Sequence, residues 1–354
     1  MGWTLTVKDL GPFKEASIEV KPLTIIIGRN SSGKSFLLRL MWALSTAEPD
    51  YELLVKNLQG GLVEKGLSED QFDRLTPGKI DEYIKLYAEA LSVSLLEGCK
   101  GKVREVFNDV KGTIRLSSEH VKVTVDLTNG KTEMVPKLVD FLEVEVFGFY
   151  GINLRLKTPN MSGINVVFSA KTRQELNYLL YRTLSQFLAP YFVPFFWGLT
   201  TERVDFLADS RAGLLRYGLA SLLKIRDLSD AVTKDFIDSY FVLLDEFHRG
   251  GIEVPKVFFE ELGFDLKVVD EGGFKVPYVQ PWNGKVFPLS EAPSGVREAL
   301  PIALALNSKT GSEVYIEEPE AHLHPRAQRV VAKMIADAVR RRKYVIITTH
   351  SDYL

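Results

Sequence analysis

The sequence predicts an α/β fold, and three segments carry this prediction. An apolar run at 23–27 leads into a glycine-rich loop and a helical pattern. A second run, at 313–320, carries two adjacent carboxylates, and a third at 344–349 ends at a histidine. Short apolar runs that alternate with helical patterns are typical of buried strands in an α/β sheet. Such sheets hold their ligands beyond the carboxyl ends of the strands.

The loop after the first run matches the pattern G-x-x-x-x-G-K-[ST]. It consists of Gly28, Arg29, Asn30, Ser31, Ser32, Gly33, Lys34 and Ser35, and Phe36 follows it in the helix. Glycines allow backbone angles that side chains forbid, so the backbone N–H groups and the helix dipole converge on an anion. We expect Lys34 to reach the β- and γ-phosphates of a nucleoside triphosphate and Ser35 to ligate Mg²⁺. A glycine turn that fits by chance is the alternative, and the flanking strand and helix disfavour it.

Glu317 and Glu318 are the adjacent carboxylates of the second run. Side chains of consecutive strand residues point to opposite sides, so the two carboxylates are available for two different roles. One carboxylate suits the shell of the metal ion, and the other suits a base that polarises the attacking water.

His350 follows the third run directly. A histidine beside a phosphate site can donate a hydrogen bond to the γ-phosphate or to its in-line water. A lone histidine is more often structural, but its position relative to the carboxylate pair favours the catalytic role here.

The order of these motifs resembles the heads of ABC-type ATPases, and more narrowly the soluble AAA_15/AAA_21 ATPases related to RecF, the structural-maintenance proteins and the OLD-family nucleases. The resemblance covers about residues 1–45 and 285–354, a nucleotide-binding core, and leaves 46–284 as an inserted α+β region, part of it completing the ATPase lobes. It implies a P-loop NTPase fold of ABC type, with a mixed central sheet flanked by helices and a large insertion between the phosphate loop and the second motif group.

The resemblance also implies roles at matching positions. Glu318 matches the catalytic base, His350 the switch histidine, and Glu317 the metal-side acid, which is usually Asp. A Glu is one methylene longer, so direct and water-mediated contact with Mg²⁺ both stay open.

Residues 293–297, here called the signature segment, match the family's Leu-Ser-Gly-Gly-Gln signature only in part. Ser294 and Gly295 are kept, whereas Val296 and Arg297 replace the second Gly and the Gln. The resemblance implies a head-to-tail homodimer around two ATP molecules, in which Ser294 and Gly295 contact the nucleotide of the other copy. Ser294 as a plain helix N-cap is the alternative, and Arg297 is a candidate trans-acting cation.

The region between the motif groups reads as globular. Alternating patterns predict strands at 121–127, 143–149, 153–157 and 165–168, and helical patterns predict helices at 69–98, 172–189 and 227–249. It contains no heptad run long enough for a coiled-coil arm.

The apolar segment 192–197 is expected in the core, with an interface patch as the alternative. Arg211 is a candidate either for a phosphate contact or for a structural salt bridge.

The composition limits which cellular compartment and which partners are expected. The 354 residues are 45% hydrophobic with a net charge of −2, and their single Cys99 excludes an intrachain disulfide. No apolar run has the length of a membrane helix and the N-terminus has no secretory pattern, so a cytoplasmic setting without a membrane span is expected. The charge gives no global attraction to DNA, and the basic cluster at 340–343 suits either a helix C-terminus or a local nucleic-acid patch.

The sequence thus predicts a Mg²⁺-dependent ATPase with ATP and Mg²⁺ as its ligands. Its biological role is expected in DNA repair or in defence against invading nucleic acid. Two alternatives stay open, the ATPase part of an OLD-like nuclease and an ATP-gated switch that holds a protein effector without DNA. The chain ends four residues after His350, which is abrupt for this resemblance, and a shortened chain or a disordered tail would each account for it.

Overall fold

A computed structural model describes residues 3–65, 76–119, 121–147, 151–158, 161–192, 203–282 and 284–351. The chain packs as two compact units, one of Met1–Glu19 with Ala43–Thr201 and the other of Val20–Trp42 with Glu202–Leu354. The second unit holds the glycine loop, the carboxylate pair and His350. The predicted sequence boundaries at 45 and 285 are not tested by this packing and stay a prediction.

The strands are β1 (Trp3–Leu10), β2 (Phe13–Val20), β3 (Leu23–Ile27), β4 (Thr113–Ser117), β5 (Lys122–Asp126), β6 (Thr132–Val135), β7 (Leu142–Phe147), β8 (Gly151–Thr158), β9 (Met161–Ser169), β10 (Arg203–Leu207), β11 (Phe264–Glu271), β12 (Phe274–Pro281), β13 (Phe287–Pro288), β14 (Gly311–Glu317) and β15 (Tyr344–Thr349). The α-helices are α1 (Lys34–Ser45), α2 (Tyr51–Glu64), α3 (Pro77–Phe107), α4 (Arg173–Phe192), α5 (Arg211–Leu214), α6 (Leu219–Leu228), α7 (Ala231–His248), α8 (Lys256–Leu262), α9 (Ser294–Asn307) and α10 (Pro325–Arg340).

The first unit is built from antiparallel strands and long helices. Its larger sheet has the order β2-β1-β4-β5-β6, and its smaller sheet is the meander β7-β8-β9. The 31-residue helix α3 is buried around most of its circumference in its middle part, where 86–88, 90–92 and 94–96 are all buried. Its Gly98 lies so close to the Glu48 carbonyl that a Cβ there would be 1.7 Å from that oxygen.

The second unit is built around a parallel sheet with the order β10-β14-β15-β3. Its register pairs Glu317 with Thr348 and Thr349 with Ile27, so the carboxyl ends of β14, β15 and β3 lie side by side. Helix α9 is buried along most of its length, and α10 buries a single apolar stripe. Parallel strands require crossover connections. Here the connections leave three polar loops side by side at the carboxyl ends of β14, β15 and β3.

Several predicted elements are present with changed ends. The helix predicted over 227–249 is divided, because α6 ends at Leu228 and the Asp230 carboxylate caps α7 by accepting the Thr233 N–H at 2.8 Å. At the start of α4, the Thr172 hydroxyl accepts the Glu175 N–H at 3.2 Å. The helix predicted over 69–98 is seen from Pro77 and runs on to Phe107, and its first residues lie outside the described residues.

Two sequence expectations differ from the structure. The strand at 23–27 is not buried on both faces, since Leu23, Ile25 and Ile27 are exposed, the last by 73%. The reason is that β3 lies at an edge of its sheet and only its alternate residues, Thr24 and Ile26, face the packed side. In the described residues the strand before the glycine loop belongs to a wholly parallel sheet, and the antiparallel strands form separate sheets, so the predicted mixed central sheet is not seen.

The apolar segment expected in the core at 192–197 falls almost wholly outside the described residues. Among the described helices, none combines the length and apolar content that crossing a membrane requires.

Two glycines of α3 give a matched test of the packing in the first unit. We expect Gly98→Ala to lower the free energy of unfolding by more than about 2 kcal/mol, because the new Cβ meets the Glu48 backbone. Gly101→Ala in the same helix meets nothing within 4 Å and should raise it by up to about 1 kcal/mol. Urea denaturation of both variants measures the difference, and equal effects would contradict the packing described.

Candidate functional site

The glycine loop turns sharply between β3 and α1. Gly33 has a φ of 89° and Ser31 a φ of 61°. The Ser32 N–H donates to the Arg29 carbonyl at 3.3 Å, and the Leu37 N–H donates to the Gly33 carbonyl at 3.0 Å, which starts the helix. A left-handed backbone at position 33 favours glycine, so this part of the motif is explained by the shape of the loop.

Lys34 is folded back over the loop that precedes it. Its ammonium donates to the Gly28 carbonyl at 2.9 Å and to the Arg29 carbonyl at 3.0 Å, and the side chain is buried. The positive charge therefore lies inside the arc of the loop, where a phosphate would have to take over or share these hydrogen bonds. Arg29, Asn30, Ser31, Ser32 and Ser35 are exposed around it.

Glu317 at the end of β14 is a buried carboxylate held from two sides. Arg39 donates from Nε to Oε1 at 3.1 Å and from Nη2 to Oε2 at 3.2 Å, and the Asp209 N–H donates to Oε2 at 3.2 Å. Burial by itself would lower the pKa of Arg39, but the hydrogen bonds and charge of Glu317 outweigh it and raise that pKa above its ordinary value.

The donor set around Ser35 and Glu317 fits a hard cation. Arg39 follows Ser35 by one helical turn, so their side chains leave the same side of α1, and Arg39 contacts the Glu317 carboxylate. Hydroxyl and carboxylate oxygens are the ligands that Mg²⁺ prefers. Arg39 occupies both Glu317 oxygens here, so a metal ion at this carboxylate would compete with it.

Glu318 has a φ of 43°, which is uncommon for a residue with a side chain. Its N–H donates to the Thr348 carbonyl at 2.9 Å, which ties the residue to β15. Its side chain is partly exposed, and its Oε1 lies 3.6 Å from Nε2 of His350. The structure thus brings the two predicted catalytic side chains together on a strained turn, a place where function is often found.

Sequence reasoning missed the role of Glu320. Its Oε1 accepts the His350 N–H at 2.6 Å and so fixes the backbone of the loop after β15. Glu320 lies two residues after Glu318, in the run Glu-Glu-Pro-Glu at 317–320, but nothing in the sequence indicates its partner 30 residues away. Arg39 was missed for the same reason, although it lies one turn after Ser35.

The signature segment lies at the N-terminus of α9. Ser294 is the first helical residue and Pro293 precedes it as the N-cap without a side-chain cap, so the alternative of Ser294 as a plain N-cap is wrong. A Cβ on Gly295 would be 2.9 Å from the His322 carbonyl oxygen, which places this helix start beside the turn after Glu318. Among the described residues, no hydrogen bond or ion pair joins Ser294 or Gly295 to residues 28–35 of the same chain.

Residues 220–354, less than half of the chain, match the family profile described as "AAA ATPase domain", AAA_15. The matched range includes Ser294, Glu317, Glu318 and His350, and the glycine loop lies outside it. No curated protein sequence is significantly similar to the chain.

The solved structures that are similar to the chain include three Smc heads. An Smc head bound to the C-winged helix domain of ScpA is 14% identical, with 99% of this chain and 89% of that chain covered and a TM-score of 0.43. An Smc head with an extended coiled coil, bound to the C-terminal domain of ScpA and derived from Pyrococcus furiosus, is 10% identical, covers 100% and 91%, and has a TM-score of 0.40. The SMC head domain from Thermotoga maritima is 13% identical, covers 98% and 88%, and has a TM-score of 0.34.

The pair of Arg39 and Glu317 gives a test of the site geometry. We expect Arg39→Met to leave a buried carboxylate unpaired and to lower the free energy of unfolding. The loss should be somewhat below the ~3–5 kcal/mol of a fully buried pair, because Arg39 is partly exposed. Adding Glu317→Leu should recover most of the loss, and urea denaturation of the two single variants and the double variant measures this coupling. Independent, additive effects would contradict the contact.

Over residues 220–354, the profile match confirms the resemblance to the AAA_15 type of P-loop ATPase that the motifs indicated.

Proposed function

We propose that this chain binds Mg²⁺-ATP and hydrolyses it. One observation carries the proposal: three polar loops follow the neighbouring strands β3, β15 and β14 at one edge of a parallel sheet. These loops bring the glycine motif, His350 and the Glu317–Glu318 pair to the same end of the second unit. Ligands of open α/β sheets bind at this edge, and the residue types suit phosphoryl transfer.

The proposed roles follow from what each side chain contacts. Lys34 exchanges its bonds to the Gly28 and Arg29 carbonyls for bonds to the β- and γ-phosphates. Ser35 and Glu317 would hold Mg²⁺, which when bound would neutralise charge on the phosphates. Glu318, whose side chain is partly exposed, accepts a proton from the attacking water, and His350 beside it donates to the γ-phosphate. Rate gain comes from positioning and electrostatics.

We further propose that two copies associate head-to-tail when ATP is bound. In such a dimer Ser294 and Gly295 of one copy meet the phosphate of the other. Supporting this, the start of α9 has no side-chain cap, and among the described residues the N–H groups of Ser294 and Gly295 have no hydrogen-bond partner, so these two remain available to an anion. Arg297 lies nearby, and its Nη1 donates to the Ser290 carbonyl at 2.8 Å. Burial and the neighbouring Arg216 lower the pKa of Arg297.

The process that the ATPase serves belongs to the same proposal. DNA repair or defence against invading nucleic acid is our first candidate, in a cytoplasmic setting. The exposed face of α10 carries Arg326, Arg329, Lys333 and Arg340, which suits a phosphate backbone. Arg326 already pairs with Glu261 at 2.7 Å and Arg340 with Asp337 at 2.7 Å, so part of this charge is neutralised. Stimulation of hydrolysis by DNA separates this role from a switch that holds a protein effector.

Two substitutions test the nucleotide chemistry. We expect Lys34→Ala to abolish ATP binding measured by titration calorimetry, because the phosphates lose their buried cation. Glu318→Gln should still bind ATP but lose hydrolysis by about 10²–10⁴-fold, since the water loses its base. Glu260→Gln, an exposed carboxylate of the same unit, is the control and should hydrolyse ATP at the wild-type rate. Unchanged turnover in Glu318→Gln would remove Glu318 as the base.

The dimer has its own measurement. Light scattering of Glu318→Gln should give the mass of a monomer without nucleotide and that of a dimer with Mg²⁺-ATP, because the variant cannot hydrolyse the ATP that joins the copies. A mass that ignores bound ATP would overturn the proposed dimer and leave the ATP site untouched.

A further inference from the structure

Arg211 carries a charge that is fully buried. It begins α5 directly after β10, and its side chain is 0% exposed. Removing a guanidinium from water is costly, and burial lowers the pKa of Arg211 despite the carboxylates around it. Evolution rarely leaves such a charge inside a protein unless its contacts are specific, so these contacts are informative.

The guanidinium donates hydrogen bonds to carbonyl oxygens at the ends of two neighbouring strands. Nη1 donates to the carbonyls of Leu207 at 2.9 Å, Ala208 at 2.6 Å and Glu317 at 2.7 Å. Nη2 donates to the carbonyl of Glu318 at 3.2 Å. The first two carbonyls belong to the end of β10 and the other two to the carboxylate pair, so Arg211 fastens the candidate catalytic turn to the adjacent strand.

This turn needs support because its backbone is strained. Glu318 has its φ of 43°, and its carbonyl also accepts the Ala321 N–H at 3.0 Å. A conformation of this kind persists only where its surroundings fix it. The planar guanidinium of Arg211 can fix the turn because its several N–H donors keep a rigid geometry. A lysine ammonium on a flexible side chain cannot hold several carbonyls in this way.

The remaining face of Arg211 points to α9. Its Nε lies 2.9 Å from Oε2 of Glu298, a carboxylate that is itself 1% exposed. The other oxygen of Glu298 accepts the Ala212 N–H at 3.1 Å, so both oxygens face α5. Glu298 follows Ser294 by one helical turn, which connects the signature segment to the carboxylate pair through a single buried ion pair.

We propose that Arg211 and Glu298 are positioning residues that set the backbone of Glu317 and Glu318 and couple it to the start of α9. The inference rests on the proposed ATPase function and adds to it a link inside one chain. Contact of another copy's nucleotide with Ser294 then moves α9, and the ion pair carries that displacement to the catalytic turn. Neither residue touches substrate, and both act through Glu317 and Glu318.

If Arg211 positions the catalytic turn, its conservative substitution should change kcat and leave the binding of ATP nearly unchanged. Arg211→Lys keeps the charge but loses most of the carbonyl bonds, so we expect kcat to fall 10- to 100-fold while the affinity for ATP changes less than about threefold. Arg226→Lys is the matched control, because Arg226 forms an ion pair with Asp238 away from the carboxylate pair. It should keep kcat. If Arg211→Lys keeps kcat in an active protein, the inference fails.

A charge-free double variant covers the case in which a single variant does not fold. Arg211→Met with Glu298→Leu removes both buried charges, so it avoids the cost of leaving one of them unpaired in the interior. We expect a folded protein with a low kcat, because the carbonyls remain unheld. Recovery of wild-type kcat together with the fold would mean that the pair only stabilises the unit, which would overturn the inference.

Hydrogen–deuterium exchange keeps this test separate from the ATPase itself. Faster exchange over 317–323 in Arg211→Lys, with exchange in α7 unchanged, is expected because the Ala321 N–H bond depends on the held Glu318 carbonyl. Absence of ATP hydrolysis by the wild type would overturn the proposed function, whereas unchanged exchange over 317–323 would overturn the positioning role alone.

Discussion

The second unit depends on how Glu317 is held, because this residue is bound at both its side chain and its backbone. Arg39 and the Asp209 N–H take the carboxylate, and Arg211 takes the carbonyl. These partners come from α1, from the loop after β10 and from α5. The helix that follows the glycine loop, the end of the neighbouring strand and the carboxylate pair are therefore fixed relative to one another by one residue. A site for phosphoryl transfer works mainly by positioning, so such fixation is what the proposed chemistry needs.

The same residue explains how the chain accommodates its departure from the pattern it resembles. A Glu at position 317 has one more rotatable bond than the Asp usual in that place, and a freely moving carboxylate would be a poor ligand. The planar fork of Arg39 binds both oxygens, and the Asp209 N–H adds a third hydrogen bond. Together they remove the rotational freedom that the extra methylene adds. The cost is that the Arg39 guanidinium would compete with the proposed Mg²⁺ for this carboxylate.

Local chemistry made part of this site predictable. The loop at 28–35 was recognisable because its shape demands glycine and its flanks are a strand and a helix, and Glu317 and His350 were placed by the ends of apolar runs. The partners that hold them were not predictable, because Arg39 lies 278 residues from Glu317 and Arg211 lies 106 residues from it. A single sequence records which residues are charged but not which of them meet. For the same reason, the exposed side of Leu23, Ile25 and Ile27 was read as buried, since an edge strand and a central strand share one pattern.

Arg39 and Arg211 both contact Glu317, but they differ in burial and in the role that we expect for each. Arg39 is partly exposed and meets a side chain that has a proposed ligand, so its contact is exchangeable when that ligand arrives. Arg211 is sealed from water and meets backbone carbonyls and Glu298, none of which has a proposed role as a ligand contact. Breaking its contacts would take one donor from four carbonyls at once. The first arginine is therefore suited to respond to the ligand, and the second to keep the strand ends in place while it does so.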